Sequence, residues 1–202
     1  MKIALVVEGK TERVFLPHLK KLLEARLEGR MPRIDPLSYD GRIPTGGKLR
    51  RLVEGLLRDG ADHVIALTDV YTGSRPPAFE DARDAAVKMR EWVGGEPRFH
   101  PHAAQYDFEA WLLPYWPSIQ RLAGSNKSAP KGSPEQVNHE KPPAHRIKEV
   151  FRTGKKRKSY IKPRDAGRIL RDNDLSSAIS QCVELKSLVN TILTLCGGQP
   201  FP

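Results

Sequence analysis

Apolar positions along the first hundred residues alternate between two periods. Residues 2–7 (KIALVV) form a short, nearly continuous apolar run rich in β-branched side chains, the pattern of a strand buried on both faces of a parallel sheet. The period then lengthens: Val14, Phe15, Leu16, Leu19, Leu22, Leu23 and Leu27 recur at helical spacing and predict a helix over 11–28. Pro17 falls in its first two turns, where proline costs less than in mid-helix. A strand over 33–38, beside Pro32 and Pro36, precedes a helix over 46–58 built on Leu49, Leu52, Val53, Leu56 and Leu57 and stopped near Gly60. The run 62–68 (DHVIALT) predicts a third strand, 79–93 a helix ended by Gly94-Gly95, 98–104 a fourth strand, and 108–113 the start of another helix. This β-α-β-α-β-α-β order predicts an α/β fold with a mostly parallel, helix-covered sheet.

Beyond Trp116 the texture changes. Residues 123–145 are rich in Gly, Ser, Asn and Pro and read as a long surface loop, followed by helical patterns over 144–151, 163–171 and 175–195. The expected organisation is an α/β domain over 1–116 and, over 117–202, a loop plus a basic helical region packed on it. No apolar run approaches the roughly 18 residues of a membrane span, and 3–7 is too short for a signal sequence. Cys182 and Cys196 lack metal or disulfide-framework spacing, which fits a reducing cytoplasm.

The chain of 202 residues carries a formal charge of +10, and its placement matters more than its size. Residues 141–171 hold 12 Lys+Arg against Glu149 and Asp165, while the other 171 residues carry 22 basic and 22 acidic side chains. A localised excess of this kind points to one polyanion contact, a nucleic acid or a membrane surface.

In a parallel α/β sheet, ligands bind beyond the carboxyl ends of the strands, and here those positions are acidic. The first strand runs into Glu8-Gly9-Lys10-Thr11-Glu12, the third into Asp69, and the fourth is followed by Asp107 and Glu109. Carboxylates meeting in one crevice repel unless a divalent cation neutralises them, and Mg2+ or Mn2+ favours such oxygen ligands. Two plainer roles compete: Glu12 supporting a helix N-terminus through the dipole, and Asp107 capping the helix at Phe108. Gly9-Lys10-Thr11 ends like a phosphate loop, but Ala4 stands where the leading glycine belongs, and Gly47-Lys48 is followed by Leu49, so neither supports nucleotide hydrolysis. His100 and His102 alternate on one face of the fourth strand as a weaker metal candidate.

The segment Val7-Glu8-Gly9-Lys10-Thr11-Glu12, with an apolar strand ending in Asp69, resembles the Toprim domain of topoisomerases, primases and overcoming-lysogenization-defect (OLD) nucleases. That resemblance covers residues 1–112. Through QYDFEAWLLPYW (105–116) and KSYIKPRDAGRIL (158–170), the whole chain is similar to an uncharacterised bacterial family of Toprim-like proteins, often encoded beside AAA-type or SMC-like ATPases in phage-defence islands. The resemblance implies Glu8 as metal ligand or general acid/base, Glu12 as the second acid of the nuclease variant, and Asp69 as the first aspartate of a DxD element. The element departs from the pattern at Tyr71, which removes a carboxylate unless Glu109, Asp107 or one of Glu80, Asp81 and Asp84 replaces it. OLD-type nucleases also use a lysine at the transition state, a role the resemblance assigns to Lys162.

Taken together, these features predict a metal-dependent Toprim-type nuclease acting on DNA or RNA as a phage-defence effector with an ATPase, or as a homodimer. Its metal ligands would be Glu8, Glu12, Asp69 and Glu109. Lys155, Lys156, Arg157, Lys158, Tyr160 and Arg164 would contact nucleic acid. The competing expectation is a catalytically degenerate module of the same fold that binds nucleic acid or an ATPase.

Overall fold

A computed structural model describes residues 1–39, 41–71, 77–137, 141–156 and 158–202. Strand β1 (Lys2–Val7) is buried over all but its first residue and pairs in parallel with β2 (Arg33–Ser38) on one side and β3 (His63–Asp69) on the other. Strand β4 (Phe99–Ala104) pairs in parallel with β3 and completes the order β2-β1-β3-β4. From β1 the chain goes outward to β2, then crosses back to the opposite side for β3. The order therefore reverses between β1 and β3, where a parallel sheet opens a crevice at its carboxyl end.

Side-chain alternation assigns the two faces. Ala4, Val6, Val64 and Ala66 pack against α2 (Gly46–Arg58) and α3 (Ala82–Val93) in one cluster. Ile3, Leu5, Val7, Ile65 and Leu67 pack on the other face against α1 (Lys10–Leu27). The same cluster takes in α4 (Trp116–Ala123), α5 (Pro143–Thr153), α6 (Lys162–Arg171), α7 (Leu175–Ile179) and α8 (Val183–Leu195). The fold is thus mixed α/β: a four-stranded all-parallel sheet flanked by helices, one face of which is closed by the second half of the chain. Helix α1 continues unbroken through Pro17, whose ring lies on the exposed side. Among the described residues no helix is long and apolar enough to cross a membrane.

Two expectations need correction and a third is narrowed. The segment at Phe108 is a 3-10 helix over Phe108–Tyr115 rather than the start of an α-helix. It is buried on nearly every side and interrupted by Pro114, so no solvent face exists to complete an amphipathic pattern. The apolar pattern over 175–195 breaks at Cys182, because the Glu135 carboxylate accepts the Glu184 N–H with both oxygens at 3.1 Å and caps a new helix there. That same glutamate, which also accepts the Trp111 indole N–H at 3.0 Å, ties the Gly/Ser/Pro-rich stretch into the core through the short 3-10 turn Pro134–Gln136. The stretch is therefore exposed over 126–129 and 131–132 but pinned to the core at 134–137; residues 138–140 lie outside the described residues.

Helices α4 and α5 meet at their C-terminal ends, inside the basic segment. A Cβ added at Gly154 would run into the Ala123 carbonyl, and Lys155 N donates to Gly124 O at 2.9 Å across the same contact. Gly154→Ala is expected to destabilise the protein by about 1–3 kcal/mol through overpacking. Chemical denaturation tests this, and unchanged stability would show that the junction is loose.

Candidate metal centre

Because Val7 stands opposite Leu67 in the β1–β3 register, the next residues, Glu8 and Thr68, meet at the mouth of the crevice. Glu8 Oε1 accepts from the Thr68 hydroxyl and from Asp69 N at 3.2 Å. Gly9 starts α1 in an extended conformation, and its N–H donates to Glu12 Oε2 at 2.9 Å, folding the Glu12 carboxylate back over the strand-to-helix turn. Glu12 is buried. Asp69, the last residue of β3, accepts Phe108 N on Oδ1 at 3.0 Å and so caps the 3-10 helix, the task expected of Asp107. Asp107 instead turns both oxygens to Ala144 N at 3.2 Å, at the start of α5.

Tyr106 aims Asp107 from a left-handed backbone conformation (φ 69°), held by its carbonyl accepting Tyr71 N at 2.7 Å. Such a conformation costs about 1–3 kcal/mol in a residue with a bulky side chain and persists only where neighbours enforce it. Tyr71, standing where a second DxD aspartate would be, places its ring 5.2 Å from that of Tyr106. Among the proposed substitutes for that missing acid, Glu80, Asp81 and Asp84 serve the start of α3. Asp81 caps Asp84 N at 2.7 Å, while Asp84 accepts Glu80 N at 3.0 Å and pairs with Lys88 at 2.8 Å.

Glu109 is fully buried and spends both oxygens: Oε2 on Lys162 Nζ at 2.9 Å, Oε1 on the Tyr160 hydroxyl at 3.3 Å. The structure thus brings Lys162 to the acids, and Glu109 acts as its counter-ion. The expectation of Glu109 as a further metal ligand stands beside this task, each of its oxygens keeping a second lone pair. Tyr160 likewise moves from the expected nucleic-acid surface to the interior: it is buried, with its ring packed edge-on to Phe151. Lys155, Lys156 and Lys158 are exposed between α5 and α6, Lys156 Nζ donating to Arg121 O at 3.0 Å. Arg164 lies against Asp165 with two bonds of 2.9 Å, and Arg157 lies outside the described residues. His100 pairs with His63 (3.1 Å) near the start of their strands, and burial holds His102 down at about 4, so neither joins the acids.

Electrostatics mark the crevice as overloaded with negative charge. Burial pushes the Glu8 and Glu12 carboxyls above their ordinary range, with repulsion between Glu8 and Glu12 and from Glu109 adding to it. Burial and then Glu8, Asp107, Glu12 and Glu109 push Asp69 well up. Burial, with Glu109 beside it, lifts Asp107 to about 7. Burial opposes the charge on Lys162, but Glu109, Asp69 and Asp107 outweigh that and raise its pKa.

Among the described residues no three Asp, Glu, His or Cys side chains stand close enough to enclose an ion as they are placed. The donor chemistry still fits a hard divalent cation. Glu8, Glu12 and Asp69 each use one oxygen in the contacts above and keep the other without a hydrogen bond among the described residues. Thr68 and Tyr106, which set this arrangement, carried no motif; the only sequence signal was a polar residue closing an apolar strand.

The model of the family described as Domain of unknown function (DUF4276) matches residues 7–193. No curated protein matches the chain. Among solved structures, the C-terminal region of the Burkholderia pseudomallei OLD protein is similar at 15% identity and a TM-score of 0.54, covering 96% of this chain and 98% of that one. The C-terminal region of the Xanthomonas campestris pv. campestris OLD protein is similar at 13% identity and a TM-score of 0.51, covering 97% and 94%. At these identities the likeness establishes a shared fold.

The raised carboxyls fix the sign of a pH effect. Between the ordinary carboxylate range and about 7, the folded protein binds more protons than the unfolded chain, so these groups lend stability at low pH that is lost as pH rises. In metal-free buffer Asp69→Asn, which keeps the acceptor for Phe108 N, should gain about 0.5–2 kcal/mol at pH 8 and less at pH 5. Thermal denaturation at both pH values checks this; an equal loss at both would mean that repulsion does not govern the crevice.

Proposed function

The chain belongs to the DUF4276 family, and for this member we propose a Toprim-type nuclease activity: Mg2+- or Mn2+-dependent hydrolysis of phosphodiester bonds in DNA or RNA. The observation that carries the reading is the meeting of mutually repelling carboxylates with one lysine at the point where strand order reverses. Glu8, Glu12 and Asp69 would hold the cation through their free oxygens. Bound there, a divalent cation would supply an activated water and stabilise the departing oxygen. Glu109 and Tyr160 hold the Lys162 ammonium at the crevice, where it offsets charge gathering on the scissile phosphate. Asp107 fixes α5, and with it the basic segment, to the turn after β4. The resemblance to OLD-type proteins extends the proposal to an effector that works with an AAA- or SMC-like ATPase in phage defence.

One observation favours a second reading, a non-catalytic module that binds nucleic acid or an ATPase: Tyr71 replaces a carboxylate of the DxD element. Metal binding separates the two. Calorimetry should detect Mn2+ binding that Asp69→Asn abolishes, and Glu8→Gln and Lys162→Gln should each lower cleavage of single- or double-stranded substrates at least about 100-fold. A wild-type protein that binds neither metal and cuts no DNA or RNA, alone or with its ATPase, would leave the second reading standing.

A further inference from the structure

Four of the twelve cations of the basic segment are matched with acids. Lys162 pairs with Glu109, Arg164 and Arg168 with Asp165, and Arg171 with Asp172. Lys148, Arg152 and Lys158 differ: none has an ion pair among the described residues, and Glu149, between the first two in sequence, is taken by Lys127 at 3.0 Å. Lys148 and Arg152 are one helical turn apart on α5 and therefore share a face. Together with Lys158, Ser159 and Tyr160 they line one cavity of about 270 Å³, larger than a phosphate group. Three like charges around a shared hollow repel one another until an anion enters it, and a hydroxyl beside them supplies a neutral donor.

The position of the hollow ties it to the acid crevice. Tyr160 forms one wall, and its hydroxyl reaches the Glu109 carboxylate that holds Lys162. The Tyr160 side chain and the Glu109 carboxylate thus stand between an anion in the hollow and the lysine at the crevice.

We propose that Lys148, Arg152 and Lys158, with the Ser159 hydroxyl, form a phosphate-binding subsite that seats an internal backbone phosphate next to the one at the acid crevice. This rests on the nucleic-acid reading above but not on catalysis. The subsite sets where a strand enters and which bond it presents.

The test uses the full chain in EDTA and 3′-labelled oligothymidylate and oligouridylate of about 16 nucleotides, each with and without a 5′-phosphate. Anisotropy titrations over roughly 50–200 mM salt give the slope of log affinity against log salt. Replacing Lys148, Arg152 and Lys158 together by Gln should reduce that slope by about 0.7, the contribution of one single-strand phosphate contact. An equal-charge control, Lys48, Arg51 and Arg58 of α2 replaced by Gln on the opposite face of the sheet, should change it far less. Melting temperature should not fall and Mn2+ calorimetry should stay as in the wild type, because the triple variant loses no ion pair and no crevice acid. A triple variant with the slope of the control would overturn the subsite, and binding that requires the 5′-phosphate would overturn its assignment to an internal phosphate. Subsite-dependent binding by a wild type that cuts nothing with Mn2+ would support the subsite while removing the nuclease reading.

Discussion

A fully buried glutamate stays ionised only beside a partner, and Glu109 finds one in Lys162, 53 residues further along the chain. That ion pair joins the two parts of the protein that its charge distribution separates. On one side stands an α/β sheet whose strand ends gather acids; on the other, a helical segment that carries the positive excess. Without the pair, the acids of the crevice would face each other with no internal cation, and the basic segment would have no fixed register against them. With it, the first turn of α6 is pinned over the carboxyl end of the sheet, and Tyr160 is drawn inward to share Glu109.

The remaining acids divide by how their oxygens are used. Asp107 and Glu109 have both oxygens engaged and hold other parts of the chain, α5 and Lys162. Glu8, Glu12 and Asp69 each retain one, and burial and mutual repulsion outweigh the cations near them. Stability surrendered at one place in an otherwise close-packed domain is a common mark of a working site. The basic segment shows the same division, with the arginines of α6 serving structure and the cations around the Tyr160 hollow left over.

The strands were legible because burial on both sheet faces leaves uninterrupted apolar runs, and once their ends were placed, Glu8 and Asp69 stood out as acids at the crevice. The pairing of Lys162 with the acids was reachable only through family resemblance, since no spacing rule connects residues so far apart in sequence. Glu135 was invisible within a stretch of Gly, Ser and Pro, yet it caps α8 and binds Trp111, a role set by tertiary contact. The hold of Glu109 on Lys162 went unseen for a related reason: sequence shows that an acid is near, but not where its two oxygens point. Tyr160 was expected among the nucleic-acid contacts, whereas its ring packs beside Phe151.

Glu8, Glu12 and Asp69 are proposed to form a divalent-cation site together. Diffraction from crystals soaked in Mn2+, with anomalous scattering recorded at the manganese edge, tests it most directly. The account predicts an anomalous peak in the crevice between the ends of β1 and β3, contacted by the oxygens these three residues now leave free, and absent in Asp69→Asn. A crevice with no manganese, or manganese bound only at the His63–His100 pair, would contradict it.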